Sequence, residues 1–277
     1  MNLISAAFNF ILKLTGITMF VYLVLYFTPG QMAITGVMEE KTITKALSGY
    51  ASWAANTLRG DMGHFKGVEV VDRLQKSVPK TLLLVIGALG ISLVLALVLA
   101  LASLTWRGNL LVQNIISLFN LVSGVHLIVL SFVVVLLGLA VPMGDFSIWL
   151  LIVLALGNGT LVDYYAVLRE QMSRALGQNY VAAAMGRGAS PLRHATVFEI
   201  ALGIVDATSS RVPALVGGTI IVEWVFAYFG LGYDIIRAIQ YRDFALIMGV
   251  TTAVAVLLIM VTEVAQLLRQ RMDPRLG

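Results

Sequence analysis

The chain has 277 residues, of which 59% are hydrophobic and only 12% are charged, and its mean hydropathy is +0.90. Soluble domains carry about 25% charged residues, so this composition excludes an ordinary soluble protein and favours a membrane protein. The absence of cysteine excludes disulfides and thiolate metal sites. The pI of about 9.4 does not indicate a nucleic-acid partner, because the basic residues form no dense run. In a membrane protein they more plausibly set topology.

The first apolar segment predicts an uncleaved membrane span over residues 11–27. A cleaved signal peptide would carry its charge ahead of the apolar core, whereas Lys13 interrupts this one and no small-residue cleavage site follows. We expect Lys13 to extend its ammonium group to the cytoplasmic edge of the membrane. Pro29 and Gly30 end the span, because proline cannot extend a helix. Residues 31–80 are polar and are predicted to form an extracytoplasmic loop.

The rest of the chain predicts further membrane-spanning helices. Residues 81–105 contain no charge in 25 positions, enough for a helix to cross a bilayer. Residues 109–144 also lack Asp, Glu, Lys and Arg, a run too long for one straight crossing, and its amide-rich start is expected near the membrane interface, before the third span. His126, inside that span, is expected to be a hydrogen-bonded helix-packing residue. The remaining predicted spans are residues 146–167 (with a soft spot at 157–159), 195–222 and 244–268. The predicted fold is all-α, with about six transmembrane helices in a single membrane domain over residues 1–277.

Orientation follows from lysine and arginine counted over the loops. An N-terminus in the cytoplasm assigns eight of these residues to the inside and nine to the outside, of which seven lie in the 31–80 loop. The rule favours this orientation only if that long loop is set aside as a folded segment. On that basis both termini and residues 169–193 are predicted to be cytoplasmic.

No catalytic site is predicted. The sequence lacks a G-x-x-x-x-G-K-[ST] loop, so it has no phosphate cradle of that kind. The three histidines are far apart and are not spaced for a metal site. No Ser/His/Asp arrangement or pair of carboxylates stands out. We therefore expect no enzyme activity, no metal and no cofactor in this chain.

Residues 178–193, QNYVAAAMGRGASPLR, are a candidate docking segment. A short helix with a small-residue face is expected at the alanines, and Gly186 and Gly188 can end it by adopting positive φ. Ser190 and Pro191 have the pattern of an N-cap and first position of the next helix. Two interpretations stay open: a plain helical hairpin loop, or a helix that fits a cleft in a cytoplasmic partner.

Residues 220–243 are a second candidate segment, because a loop between two spans carries an unusual set of side chains. They comprise Glu223, the aromatic residues Trp224, Phe226, Tyr228 and Phe229, the turn Gly230-Leu231-Gly232, and the pair Arg242-Asp243 just before the last span. We predict that Glu223 holds an outer gate or contacts a solute-binding protein. Helix packing is the alternative.

Four charged residues fall within predicted spans: Glu199, Asp206, Arg211 and Glu263. Each costs about 2.5–3.5 kcal/mol at a helix centre on insertion scales, so such residues face protein or water. Arg211 could form a structural ion pair with Asp206 or Glu263. Alternatively, Asp206 and Arg211 line the path of a solute.

Several of these segments resemble the inner-membrane permease subunits of ATP-driven importers of the dipeptide, oligopeptide and nickel type. Ala182 to Gly188 resembles the family's E-A-A-x-x-x-G loop, with Ala182 in place of the glutamate. Arg59 to Gly63 resembles its G-D-L-G, and Asp273-Pro274-Arg275 resembles its C-terminal end. The Val222-Glu223-x-x-Phe226 pattern followed by Gly230-Leu231-Gly232 is similar to the first of the two paralogous permeases of such systems.

The resemblance implies a type I ABC importer permease in the cell inner membrane, in contact with lipid. It implies one half of a heterodimeric pathway for peptides or a related small solute such as a nickel chelate. The implied partners are a second homologous permease, an extracytoplasmic solute-binding protein, and two ABC ATPase subunits that hydrolyse ATP. The ATPases would dock on Ala182, Ala183, Ala184, Arg187, Gly188, Ser190 and Pro191.

Two rival functions belong to other classes. A self-sufficient secondary transporter or channel predicts inverted repeats with paired broken helices, but the sequence indicates one break only, at residues 157–159. A non-transporting membrane scaffold leaves both candidate segments unexplained.

Overall fold

The computed structural model describes residues 3–28, 42–106, 108–137, 148–188 and 197–272. Its helices are α1 (Leu3–Phe27), α2 (Ile43–Leu58), α3 (Val70–Thr105), α4 (Leu110–Ser123), α5 (Leu127–Leu136), α6 (Ile148–Leu156), α7 (Thr160–Leu176), α8 (Asn179–Met185), α9 (Val197–Val225), α10 (Leu231–Gln240) and α11 (Phe244–Met272). A two-stranded antiparallel hairpin pairs β1 (His64–Phe65) with β2 (Val68–Glu69). The prediction of an all-α membrane fold is confirmed.

The predicted spans each correspond to a helix or to a bent pair of helices. In the part of the chain that the structure describes, α1, α3 and α11 are long and apolar enough to cross a membrane, and the bent pairs α4–α5 and α6–α7 raise that number to as many as five. The fifth predicted span is α9, which has 29 residues. It carries four charged residues, Glu199, Asp206, Arg211 and Glu223, and it is not among those candidates.

Two helix pairs are broken, one where the sequence indicated and one where it did not. A single 3-10 turn, Gly157–Gly159, separates α6 from α7, as predicted, and the two helices differ in direction by 58°. The second break separates α4 from α5 and bends the chain by 100°. The prediction of only one break is therefore wrong. His126 lies at the second break, where its Nδ1 accepts the Ile128 N–H at 3.3 Å, so this exposed side chain caps α5 rather than packing between helices.

The helix directions define two ends of the bundle. Helices α3, α6 and α7 run in the same direction, since the Ser92 hydroxyl of α3 donates to the Ala155 carbonyl of α6 at 3.3 Å and the C-terminal half of α3 packs on α7. Helix α9 runs the other way. One end therefore carries α8, the N-terminus of α1 and the C-terminus of α11; we call it the α8 end. The other carries the hairpin, α10 and the N-terminus of α3; we call it the hairpin end.

Part of the predicted 31–80 loop is helical. Helix α2 packs on α1, where the Thr18 and Tyr50 hydroxyls are 2.9 Å apart. Helix α3 begins at Val70, eleven positions before the predicted span, and continues through Pro79. Val70 and Leu74 explain the extension, because both are buried in a cluster with α10 and α11. Tertiary packing therefore sustains this polar first part of the helix.

Candidate functional site

Glu223 is the centre of a buried polar network at the hairpin end. Its side chain is fully buried, and its Oε1 accepts the hydroxyl of Thr81 from α3 at 2.7 Å. Its Oε2 accepts the backbone N–H of Tyr233 at 3.1 Å. Thr81 in turn accepts the backbone N–H of Leu231 at 2.8 Å. One carboxylate therefore joins three elements, the end of α9, the first third of α3 and the start of α10.

Gly230 and Gly232 make this network possible because they leave space for it. A Cβ atom on Gly230 would lie 2.5 Å from the Glu223 Oε2, and one on Gly232 would lie 2.8 Å from the backbone nitrogen of Ile220. Real Cβ atoms essentially never approach other heavy atoms so closely. The lack of a side chain at both glycines thus allows the turn between α9 and α10 to pack closely against α9.

The aromatic residues of the segment divide into two groups. Phe226 and Tyr228 are buried in the cluster that packs α9 against α5 and α6. Trp224 and Phe229 are more exposed and pack on the ring of Tyr233, at centroid distances of 5.4 and 4.8 Å. Only the second group presents aromatic surface at the hairpin end.

Arg242 and Asp243 shape the turn between α10 and α11. Arg242 has a φ of +52°, and the Asp243 carboxylate accepts the Leu246 N–H at 2.8 Å. Asp243 is therefore the N-cap of α11. This hydrogen bond gives Asp243 a local structural role at the start of α11.

Asp234 is an almost fully buried carboxylate that the sequence analysis did not predict as a site residue. It accepts hydrogen bonds from the guanidinium of Arg73, at 2.9 Å from Nε and 2.5 Å from Nη2, and from the hydroxyl of Ser77. The available signal was the helical spacing of apolar residues in 231–238, which turns Asp234 toward the same side as Leu231 and Ala238. Such a position requires a partner for the carboxylate.

The predicted docking segment forms α8 and the turn after it. Val181 is buried with Ala175 of α7, which leaves Ala182 and Ala183 exposed. Gly188 has a φ of +79°, as predicted, but Gly186 does not adopt positive φ. Arg187 is exposed and its Nε donates to the Ala183 carbonyl at 3.3 Å. Ala184 lies within α8, and Ser190 and Pro191 lie outside the described residues.

A large cavity lies at the α8 end of the bundle. It has a volume of about 1070 Å³ between the C-terminal part of α3, α4 and α7. Its lining includes the apolar ring of Trp106, the amide of Gln113, and the charged side chains of Arg169, Glu170 and Arg174. The part of α7 that continues toward α8 thus presents charge to an open space.

The charged residues within the spans pair differently from the sequence expectation. Arg211 Nη1 lies 2.7 Å from Oδ2 of Asp163 on α7, and both side chains are about one-third exposed. Glu263 instead accepts from Lys13 at 2.6 Å, so the alternative in which Arg211 pairs with Glu263 is wrong. The side chains of Glu199 and Asp206 lie outside the described part of the chain. No three His, Asp or Glu side chains among the described residues come together in a way that could hold a metal ion.

Comparisons with known proteins match most of the chain. Residues 83–277 match a family model described as a binding-protein-dependent transport system inner membrane component. The chain is 28% identical over 257 residues to a peptide permease protein of Brucella suis, covering 82% of this chain and 78% of that protein. It is 24% identical over 256 residues to the oligopeptide transport system permease protein AppB of Bacillus subtilis, covering 82% and 79%. A shorter match, 29% over 126 residues, joins 44% of the chain to 37% of the Escherichia coli dipeptide transport system permease protein DppB.

Proposed function

This chain belongs to the family of binding-protein-dependent transport system inner membrane components, and we propose that it forms one half of a heterodimeric translocation pathway in an ATP-driven importer. A second homologous permease would complete the pathway. Two ABC ATPase subunits would hydrolyse ATP, and an extracytoplasmic binding protein would deliver the solute. This chain would alternate between inward-open and outward-open states.

One structural observation carries the proposal: the two candidate segments lie at opposite ends of the same bundle. Helix α8 exposes Ala182 and Ala183 at one end, and the Glu223 network lies at the other. Helices α7 and α9 connect the two ends and contact each other along the way, for example through the hydroxyls of Tyr164 and Thr208, 2.8 Å apart. Force applied at α8 can therefore reach the Glu223 network through packed helices.

The same arrangement supports a cytoplasmic position for both termini. If α8 docks on an ATPase, the α8 end lies in the cytoplasm, and with it lie the start of α1 and the end of α11. The Glu223 network, with Trp224, Gly230 and Gly232 beside it, then lies at the extracytoplasmic side, as do Phe226, Arg242 and Asp243. We assign this group to the outer gate and to contact with the binding protein.

The proposed solute path passes Arg211. Its pair with Asp163 lies within the span and is about one-third exposed. Charged side chains at this depth face protein or water rather than lipid. We propose that Arg211 and Asp163, together with the backbone region of Asp206, border the aqueous pathway. The solute is proposed to be a peptide, on the strength of the relatives named as peptide, dipeptide and oligopeptide permeases.

The test is to tag the chain in its native membrane, extract it in mild detergent, and identify the proteins that co-purify in stoichiometric amount. We expect a second permease and a P-loop ATPase. A chain that purifies alone or only with itself would contradict the importer and favour a secondary transporter or channel.

Gly188→Ala sharpens the test, with Gly186→Ala as its matched control. Alanine at a φ of +79° costs on the order of 1 kcal/mol and redirects the turn after α8. At Gly186 the backbone is not left-handed, and a Cβ would lie at an ordinary 3.6 Å from its nearest neighbour, the Ala183 carbonyl oxygen. Gly188→Ala should lose the ATPase while retaining the second permease, and Gly186→Ala should retain both.

A further inference from the structure

A basic cleft opens at the hairpin end, separate from the Glu223 carboxylate. It has a volume of about 310 Å³ and lies between the first part of α3 and α10. Its lining residues are Arg73, Lys76, Ser77, Lys80, Phe229, Asp234 and Arg237. Four of these seven are cations and one is a carboxylate, which leaves a formal charge of +3.

The negative charge of Asp234 is already neutralised within the fold by the Arg73 guanidinium. Its carboxylate is buried and receives both the Arg73 guanidinium and the Ser77 hydroxyl. Lys76, Lys80 and Arg237 form no ion pair with any carboxylate among the described residues. Asp72 lies one helical turn before Lys76 and makes no ion pair with it in this structure. The excess positive charge is therefore concentrated on three side chains around the cleft.

Aromatic rings hold two of these cations in place. The Lys80 Nζ lies 5.5 Å from the ring centroids of both Tyr228 and Phe229. The Arg237 guanidinium lies 5.8 Å from the ring of Tyr233 and 5.5 Å from that of Tyr241. Such contacts orient a cation without neutralising it. The cleft thus presents ordered, uncompensated positive charge, which is the complement of an anionic group.

The position of this charge is not explained by membrane topology. Under the orientation proposed above, the cleft faces the extracytoplasmic side, whereas an excess of lysine and arginine is typical of cytoplasmic loops. Lys76 and Lys80 belong to the 31–80 loop, which was set aside when that rule was applied, so topology gives these cations no role. The observation that points to an anionic ligand is their convergence, with Arg237, around one cleft.

We propose that this cleft is the docking point for an acidic patch of the extracytoplasmic binding protein, with a carboxylate side chain of that protein entering between Lys76, Lys80 and Arg237. The inference rests on the proposed function. Opposite charge across an interface accelerates association and selects the correct partner. Lys80 directly precedes Thr81, and Phe229 directly precedes Gly230, so a docked carboxylate touches the two segments that Glu223 joins. Docking would then act on the outer gate.

The experiment measures binding of the purified importer complex, in phosphatidylcholine nanodiscs, to the binding protein that stimulates its ATPase activity. The variants are Lys76→Glu and the milder Lys76→Gln; Lys76 is exposed and makes no contact that the fold requires. Arg59→Glu, an exposed cation at the end of α2 outside the cleft, is the matched control. We expect a Kd about tenfold weaker for Lys76→Glu, a smaller loss for Lys76→Gln, and wild-type affinity for Arg59→Glu.

Two further results would support the inference, and two would overturn it. Wild-type affinity should fall as NaCl rises from about 50 to about 300 mM, and an Asp or Glu to Lys change on the binding protein should restore binding to Lys76→Glu. Equal affinity of Lys76→Glu and wild type would overturn docking at this cleft. Weaker binding by Lys76→Glu that appears only in phosphatidylglycerol nanodiscs would also overturn it, because the substitution would then act through the lipid rather than through contact with the binding protein. A wild-type complex that contains an ATPase but binds no such protein would instead contradict the proposed importer.

Discussion

Gly232 and Ile220 are in such close contact that a Cβ atom on Gly232 would lie 2.8 Å from the Ile220 backbone nitrogen. The neighbour is backbone, which cannot rotate away as a side chain could. We expect Gly232→Ala to separate the start of α10 from α9 and to lower the free energy of unfolding by about 1–3 kcal/mol.

Thermal unfolding in detergent measures this effect, with Gly217→Ala on the same α9 helix as the control. A Cβ on Gly217 would meet no heavy atom within 4 Å, so this substitution should leave the midpoint within error of wild type. Equal midpoints for both variants would show that α9 and α10 are not in contact as described.

Thr81 is predicted to matter through its hydroxyl rather than its shape. Thr81→Val keeps the volume but removes the donor to Glu223 and the acceptor of the Leu231 N–H. Buried groups left unpaired cost about 1–3 kcal/mol, so we expect a loss of stability in that range and a slower uptake. Thr252→Val is the control, because the Thr252 hydroxyl donates only within its own helix, to the Met248 carbonyl. A stability unchanged in both variants would contradict the network.

Removing Arg73 should be more damaging than removing both members of its pair. Arg73→Met leaves the buried Asp234 carboxylate with only Ser77, and an uncompensated buried charge costs roughly 3–5 kcal/mol. The double variant Arg73→Met with Asp234→Leu removes that charge as well. We therefore expect a higher yield of folded protein from the double variant than from Arg73→Met alone, measured by size-exclusion chromatography. The opposite order would show that Asp234 is hydrated.

The Arg211–Asp163 pair is predicted to act on the solute as well as on the fold. The swap Asp163→Arg with Arg211→Asp restores opposite charges between α7 and α9, so it should recover protein level relative to Arg211→Ala. Because the charges presented to the pathway are then reversed, we expect uptake of a labelled peptide to remain at least about tenfold lower. Full recovery of uptake along with protein level would assign the pair a structural role alone.

The sequence predicted the membrane helices well because uncharged runs such as residues 81–105 are determined by the bilayer itself. The start of α3 at Val70 was not predictable in this way. Its first three turns carry charges and are stabilised by the burial of Val70 and Leu74 against α10 and α11, in a cluster whose other helices lie more than 150 positions later in the chain. Residues 109–144 were expected to be too long for one straight crossing, but the position of the break at 124–126 was not predicted, because a single glycine in an uncharged run gives little local signal.

The candidate site was predictable where local chemistry is unusual. The 220–243 segment was singled out because Glu223 lies among apolar and aromatic residues next to a predicted span, and its side chain is fully buried. Asp163 as the partner of Arg211, and Lys13 as the partner of Glu263, could not be found from one sequence. Each pair depends on which helices pack together, and several carboxylates were available at similar depth.

Helix α3 connects the features described at both ends of the bundle. Its 36 residues amount to about 54 Å of helix, well beyond the roughly 30 Å hydrocarbon core, so it reaches water on both sides. Arg73 and Thr81 lie near its first end, and Ser103 and Leu104 line the large cavity at its last. A rod of this length behaves as a lever: a tilt of a few degrees moves its two ends in opposite directions by ångströms. Within the importer proposed above, a rigid tilt of α3 would therefore narrow the pathway at one end of the bundle while widening it at the other.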